Sequence, residues 1–173
     1  MKLNARELRT VDENEAKVRL KSLKRQPIYF ILENIYDTYN IGGLFRLADA
    51  LAIEKMYLCG ETEIPPNNRI KKASIGTYKF VPWEYKKTAK EAMAELLNCN
   101  IVAVEQSPEA ISYTQAEYKK PLALIFGNET YGVLPETLKL ADKIVEIPMW
   151  GINRSLNVIV SAAIVSYFVV NKL

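Results

Sequence analysis

Six short runs of apolar and β-branched residues punctuate this chain, at 28–32 (IYFIL), 55–58 (KMYL), 79–83 (KFVPW), 101–105 (IVAVE), 122–126 (LALIF) and 143–147 (KIVEI). Stretches with helical character lie between or after them, at 41–52, 88–97, 134–141 and 158–170. Strands alternating with helices must close as βαβ units, because parallel neighbours need a crossover. The expected fold class is therefore α/β, a doubly wound and mostly parallel sheet. In the helix at 41–52, Leu44, Leu47, Ala48 and Leu51 form the buried side. Residues 60–76, with Pro65 and Pro66, read as loop, and 106–120 as a connector. Residues 7–25 are charged and broadly helical, without a clean apolar stripe, and Pro27 stops them. The expected division is a basic helical arm over 1–26 and one domain over 27–173.

Three polar turns each follow a hydrophobic run: 40–48 (NIGGLFRLA), 126–132 (FGNETYG) and 147–157 (IPMWGINRSLN). Singly, each has a plain structural account: a helix start at Asn40, a hairpin-like turn over 127–132, and an N-cap at Ser155. Together they mean more. In an open α/β sheet the carboxyl ends of parallel strands share one edge, so the three turns converge there. Glycines at 42, 127, 132 and 151 let backbone approach a ligand closely.

Composition then removes alternatives. The chain has no histidine, which excludes a His-based triad, His-ligated zinc and an imidazole base. G-x-x-x-x-G-K and G-x-G-x-x-G are absent, against phosphate-loop hydrolysis and ordinary dinucleotide binding. Cys59 and Cys99 lie far apart without a C-x-x-C, so buried thiols are expected and no metal. No apolar stretch is long enough to span a bilayer, and the charged N-terminus lacks a signal core; no membrane partner and a cytoplasmic location are expected. The net charge of +3 is uneven: residues 1–27 hold eight Lys/Arg against four acids, and 66–90 hold seven against one. Two basic segments suggest a polyanionic partner, though solvated basic faces give the same count.

The three turns resemble the motifs of the SpoU (TrmH-like) branch of the SPOUT RNA methyltransferases. That pattern runs N-x-G-x-x-x-R-x-A, then G-N-E-x-x-G, then I-P-M-x-G-x-x-x-S-L-N. It is met at Asn40, Gly42, Arg46 and Ala48; at Gly127, Asn128, Glu129 and Gly132; and at Ile147, Pro148, Met149, Gly151, Ser155, Leu156 and Asn157. Leu47 and Thr130 depart from common choices at positions with no assigned chemistry. The resemblance, over about 27–170, implies S-adenosylmethionine as cofactor and methylation of a ribose 2′-hydroxyl in tRNA or rRNA. It also implies a C-terminal trefoil knot and a homodimer with the site near the subunit interface. On it, Val104, Gly127, Asn128, Ile147, Met149, Ser155 and Leu156 line the cofactor pocket.

The same resemblance points to Arg46 for the chemistry. A guanidinium with a pKa above about 12 resists deprotonation. Arg46 is therefore expected to act as a cation, stabilising the developing alkoxide while gripping a phosphate. Glu129 would orient Arg46 or Asn40, and Ser155 and Asn157 would fix the loop and the ribose. The short basic arm favours tRNA over rRNA as the RNA partner. The arm itself is expected to clamp RNA, with Tyr36, Tyr39, Tyr78 and Tyr85 available for stacking. A non-catalytic RNA-binding or assembly protein on the same fold is the alternative; a small-molecule methyltransferase fits the basic segments poorly.

Overall fold

The computed structural model describes residues 2–20 and 22–173; Met1 and Lys21, both in the expected arm, lie outside the described residues. In chain order come helices α1 (Ala5–Thr10) and α2 (Glu13–Leu20), then β1 (Gln26–Glu33), α3 (Thr38–Ala50) and β2 (Ile53–Cys59). After α4 (Asn68–Ala73) follow β3 (Trp83–Lys86), α5 (Ala89–Ala94), β4 (Asn100–Val104), β5 (Ile111–Ser112) and β6 (Leu122–Phe126). The chain closes with α6 (Pro135–Leu138), β7 (Lys143–Glu146) and α7 (Val158–Lys172). The strands form one sheet in the order β3-β2-β1-β6-β4-β7-β5, and every pairing among them is parallel.

Burial explains why the central strands read as unbroken apolar runs. All five residues of β6 are buried, because helices cover both faces. Leu122, Leu124 and Phe126 point to a core shared with Leu44 and Phe45 of α3 and Ala162 and Val165 of α7. Ala123 and Ile125 point to the other face, against Ala89 and Ala92 of α5. Phe30 and Phe126 meet edge to face across β1 and β6, centroids 5.2 Å apart. Each such fully buried Leu, Ile or Phe contributes about 1.5–3 kcal/mol. Cys59 is buried in the second core, and that burial pushes its thiol up to about 12.

Several local expectations change. The expected arm holds two helices: Asn4 and Glu7 make a capping box for α1, and Asp12 accepts from the N–H groups of Asn14 and Glu15 at the start of α2. Residues 68–73, expected as loop, form α4 under the Asn67 cap. It packs close to α3 because residue 42 is glycine; a Cβ there would lie 2.4 Å from that of Ala73. The strand expected at 79–83 begins only at Trp83, preceded by a 3-10 turn at Thr77–Lys79. Phe80 turns instead toward the arm, packing with Val11, Ala16, Leu8 and Leu20. The connector 106–120 holds the short β5 beside β7. The cap of α7 is Asn157, whose side chain accepts from Ile159 N–H, and not Ser155.

Candidate active site

β1, β4, β6 and β7 end on one edge of the sheet, and the segments after β4, β6 and β7 enclose a cavity of about 570 Å³. That volume suits a small organic ligand. Val104 ends β4, Gly127, Asn128 and Glu129 follow β6, and Ile147 and Met149 follow β7; all of them line the cavity. Ser155, Leu156 and Asn157, on the approach to α7, close it. The turns at 126–132 and 147–157 thus meet around one space with the segment after β4, while the turn at 40–48 contributes no wall.

Hydrogen bonds hold this arrangement. Glu129 Oε1 accepts from Asn40 Nδ2 at 2.8 Å, and Asn40 Oδ1 accepts from Asn157 Nδ2 at 3.0 Å. Asn40 is buried, so this chain ties α3, the turn after β6 and the cap of α7 together where water competes little. Glu129 also accepts from the backbone N–H groups of Tyr36 and Asp37, at 3.4 and 3.3 Å. Asn128 Oδ1 accepts from Thr130 and Tyr131 N–H, its Nδ2 donates to Asn34 O at 2.7 Å, and its backbone pairs with Gly132. Asn153 and Ser155 form a local turn, Asn153 Nδ2 donating to Ser155 O at 2.8 Å.

Two carboxylates that motif reasoning passed over staple the same turn. Glu33, buried at the end of β1, accepts from Leu134 N–H at 2.8 Å and Thr137 Oγ1 at 2.6 Å. Glu105, just past β4, accepts from Val133 N–H at 2.8 Å and lines the cavity. An acid ending an apolar strand was the available signal in both (ILE and AVE).

Arg46 stands apart from the cavity wall. It is exposed on α3 and makes no hydrogen bond or ion pair among the described residues. Of the two partners expected for Glu129, it binds Asn40 and not Arg46. The two basic segments lie together: a Cβ at Gly76 would come 2.5 Å from Leu8 O, and Lys79 Nζ donates to Val11 O. Arg69, Lys71 and Lys72 of α4 sit on α3 next to this junction. Apolar side chains are exposed by the cavity loops, with Trp150 at 92% and Ile152 at 103%.

An open parallel α/β sheet with asparagine- and glycine-bearing turns gathered at its strand ends defines a ligand-binding protein of the doubly wound class. The chain belongs to the SpoU rRNA Methylase family, whose profile matches residues 27–167. It is 31% identical over 147 residues to a tRNA (guanosine(18)-2′-O)-methyltransferase of Thermus thermophilus, covering 83% of this chain and 75% of that one. The crystal structure of the A. aeolicus TrmH/SpoU tRNA modifying enzyme superposes with a TM-score of 0.79 at 30% identity, covering 91% of this chain and 83% of that one. The AdoMet-bound rRNA methyltransferase of Sinorhizobium meliloti shares the fold, with a TM-score of 0.80 at 23% identity over 96% of this chain and 60% of that one. Among the described residues no helix is long and apolar enough to cross a membrane.

Proposed function

We propose that this protein is an S-adenosylmethionine-dependent methyltransferase acting on a ribose 2′-hydroxyl of RNA, with tRNA favoured over rRNA. The observation that carries it is the convergence of the second and third family motifs on one cavity of cofactor size, with Asn40 of the first motif bonded to both through Glu129 and Asn157. The residues fit the group: Gly127 and Gly132 let the turn after β6 fold tightly against itself and Glu105 beside the cavity, and Val104, Ile147, Met149 and Leu156 supply apolar wall. When bound, S-adenosylmethionine supplies a methyl group already activated on a sulfonium. The protein must then align the 2′-oxygen and help it lose its proton. Alignment alone is worth about 7–11 kcal/mol in well-oriented systems.

In this reading Arg46 grips the ribose hydroxyl and a neighbouring phosphate, lowering the hydroxyl pKa by its charge. Asn40, Glu129 and Asn157 form the hydrogen-bonded strut that orients this side of the site, and Ser155 steadies the closing loop. Residues 1–26 act as a basic arm and 27–173 as the methyltransferase domain, a boundary supported by the family match beginning at residue 27. The C-terminal segment is knotted, a reading supported by β7 inserting between β4 and β5 before α7 returns over the core. A homodimer would cover Trp150 and Ile152, apolar groups otherwise left to water. The compartment proposed is the cytoplasm, which holds both RNA and methyl donor.

Calorimetry is expected to show saturable binding of S-adenosylmethionine, with S-adenosylhomocysteine competing for the same site. Incubation with tRNA should place a 2′-O-methyl group at a mappable nucleotide. Absence of binding by either ligand at millimolar concentration overturns the reading. Cofactor binding without transfer to any RNA would instead fit the non-catalytic RNA-binding alternative.

Removing residues 1–20 is expected to weaken RNA binding and flatten its dependence on salt, because fewer phosphates lose counterions. Phe80 would lose its apolar neighbours, so the melting temperature falls as well. Cofactor affinity, read by calorimetry, stays near that of the full chain. An unchanged salt slope would remove the arm from the RNA interface.

A further inference from the structure

A second cavity, about 470 Å³, abuts the first. Tyr36, Asp37 and Thr38, leading into α3, form one wall; Glu63, Asn68 and Arg69, before and within α4, form the other. The two cavities share a partition. Glu129 lines the first, and the backbone N–H groups of Tyr36 and Asp37 that it holds belong to the second.

The chemistry of this lining is selective. The Tyr36 ring is half-exposed, and its hydroxyl donates to Glu61 Oε2 at 2.8 Å, so the ring is held without using its face. That same bond raises the Tyr36 pKa, keeping the phenol neutral. Glu63, Asn68 and Arg69 make no side-chain hydrogen bond or ion pair among the described residues. Asp37 uses one oxygen on Tyr39 N–H at 2.8 Å. Two carboxylates repel an anion, and the guanidinium repels a cation. A neutral, flat ligand with donors and acceptors on one edge satisfies both signs at once. A nucleobase is such a ligand.

Building on the proposed function, we infer that this cavity takes one unpaired nucleobase, at or beside the methylated nucleoside, stacked on Tyr36 between Glu63 and Arg69. Guanine is the best-matched base. Its adjacent ring N–H and exocyclic amine suit a carboxylate such as Glu63, while its carbonyl oxygen suits Arg69. The cavity then sets which nucleotide is presented, and Arg46 with the first cavity acts on its ribose.

The test uses the full chain and an RNA hairpin carrying the mapped site, made with each of the four bases at and beside it. Tyr36→Ala is expected to raise KM for RNA about 5- to 150-fold, the range for loss of one stacked base, with the Kd for S-adenosylmethionine unchanged. Tyr36→Phe, which keeps the ring, should recover most of that loss. Glu63→Gln, a surface change, should cut the preference for guanine over adenine about 10-fold at a single position. Unchanged KM and unchanged base preference in both Tyr36→Ala and Glu63→Gln overturn the inference. If the unsubstituted protein transfers no methyl group, the proposed function fails by itself. The cavity is then read from binding of the trinucleotides UGU and UAU: a preference for UGU that Glu63→Gln abolishes supports it, and equal binding overturns it.

Discussion

Replacing Arg46 by alanine is expected to lower methyl transfer about 10²–10³-fold, the usual effect of losing one charge-stabilising contact, while S-adenosylmethionine affinity stays near its original value. The split follows from position. Arg46 lies outside the wall of the first cavity, on the exposed side of α3, and has no partner among the described residues to leave stranded. Its removal therefore costs little stability, and the loss falls on the chemical step. Arg46→Lys separates charge from geometry. Lysine keeps the cation but not the planar fork that can hold phosphate and hydroxyl together, so it is expected to remain severely impaired. Recovery by lysine would reduce the role of Arg46 to charge alone. RNA with a 2′-deoxy sugar at the mapped nucleotide should accept no methyl group; methylation of that substrate would move the reaction to a base. Calorimetry for affinity and radiolabel transfer for rate read the two quantities independently.

Most of the sheet was legible because its strands are buried on both faces. The run 122–126 coincides with β6, since five consecutive buried positions leave no room for polar residues. The elements that sequence misplaced lack that redundancy. α4 has a single buried residue, Ile70, in six positions, too few to display a period, and the prolines before it read as loop. The run 79–83 is apolar enough for a strand, but Phe80 and Val81 are buried by different clusters, and Pro82 has no N–H to give a ladder. Only its carbonyl joins the sheet, accepting from Met56 N–H at 2.9 Å.

The site was legible as three motifs and not as one structure. Their residue types announced turns and polar groups, but the links between them span the chain: Glu129 to Asn40 across 89 positions, Asn157 to Asn40 across 117. No local pattern encodes such pairings; they exist because β1, β6 and β7 end on the same edge. Glu33 and Glu105 were missed for the same reason. Each looks like an ordinary polar strand end until the turn after β6 is folded against it.

That turn is also where one methyl group has the greatest structural effect. Gly127→Ala is expected to abolish measurable S-adenosylmethionine binding and to lower the melting temperature. A Cβ at Gly127 would lie 2.2 Å from Gly132 C, 2.2 Å from Val133 N and 2.4 Å from Gly132 O. All three are backbone atoms, so no rotamer change can relieve the clash. The facing chain is itself fixed, by Glu105 on Val133 N–H and Glu33 on Leu134 N–H, both at 2.8 Å. Relief must come from opening the turn. That breaks the reciprocal backbone bonds of Asn128 and Gly132, at 3.0 and 2.9 Å, and carries Asn128 and Glu129 away from the cavity. Overpacking of this kind costs about 1–3 kcal/mol; at about 2–4 °C per kcal/mol for a chain of this size, the melting temperature should fall by about 2–12 °C. Gly151→Ala is the control for stability, because a Cβ there meets nothing within 4 Å and the melting temperature should not move. If Gly127→Ala melts with Gly151→Ala and binds the cofactor normally, the turn after β6 yields easily, and its backbone does not form the cofactor cradle.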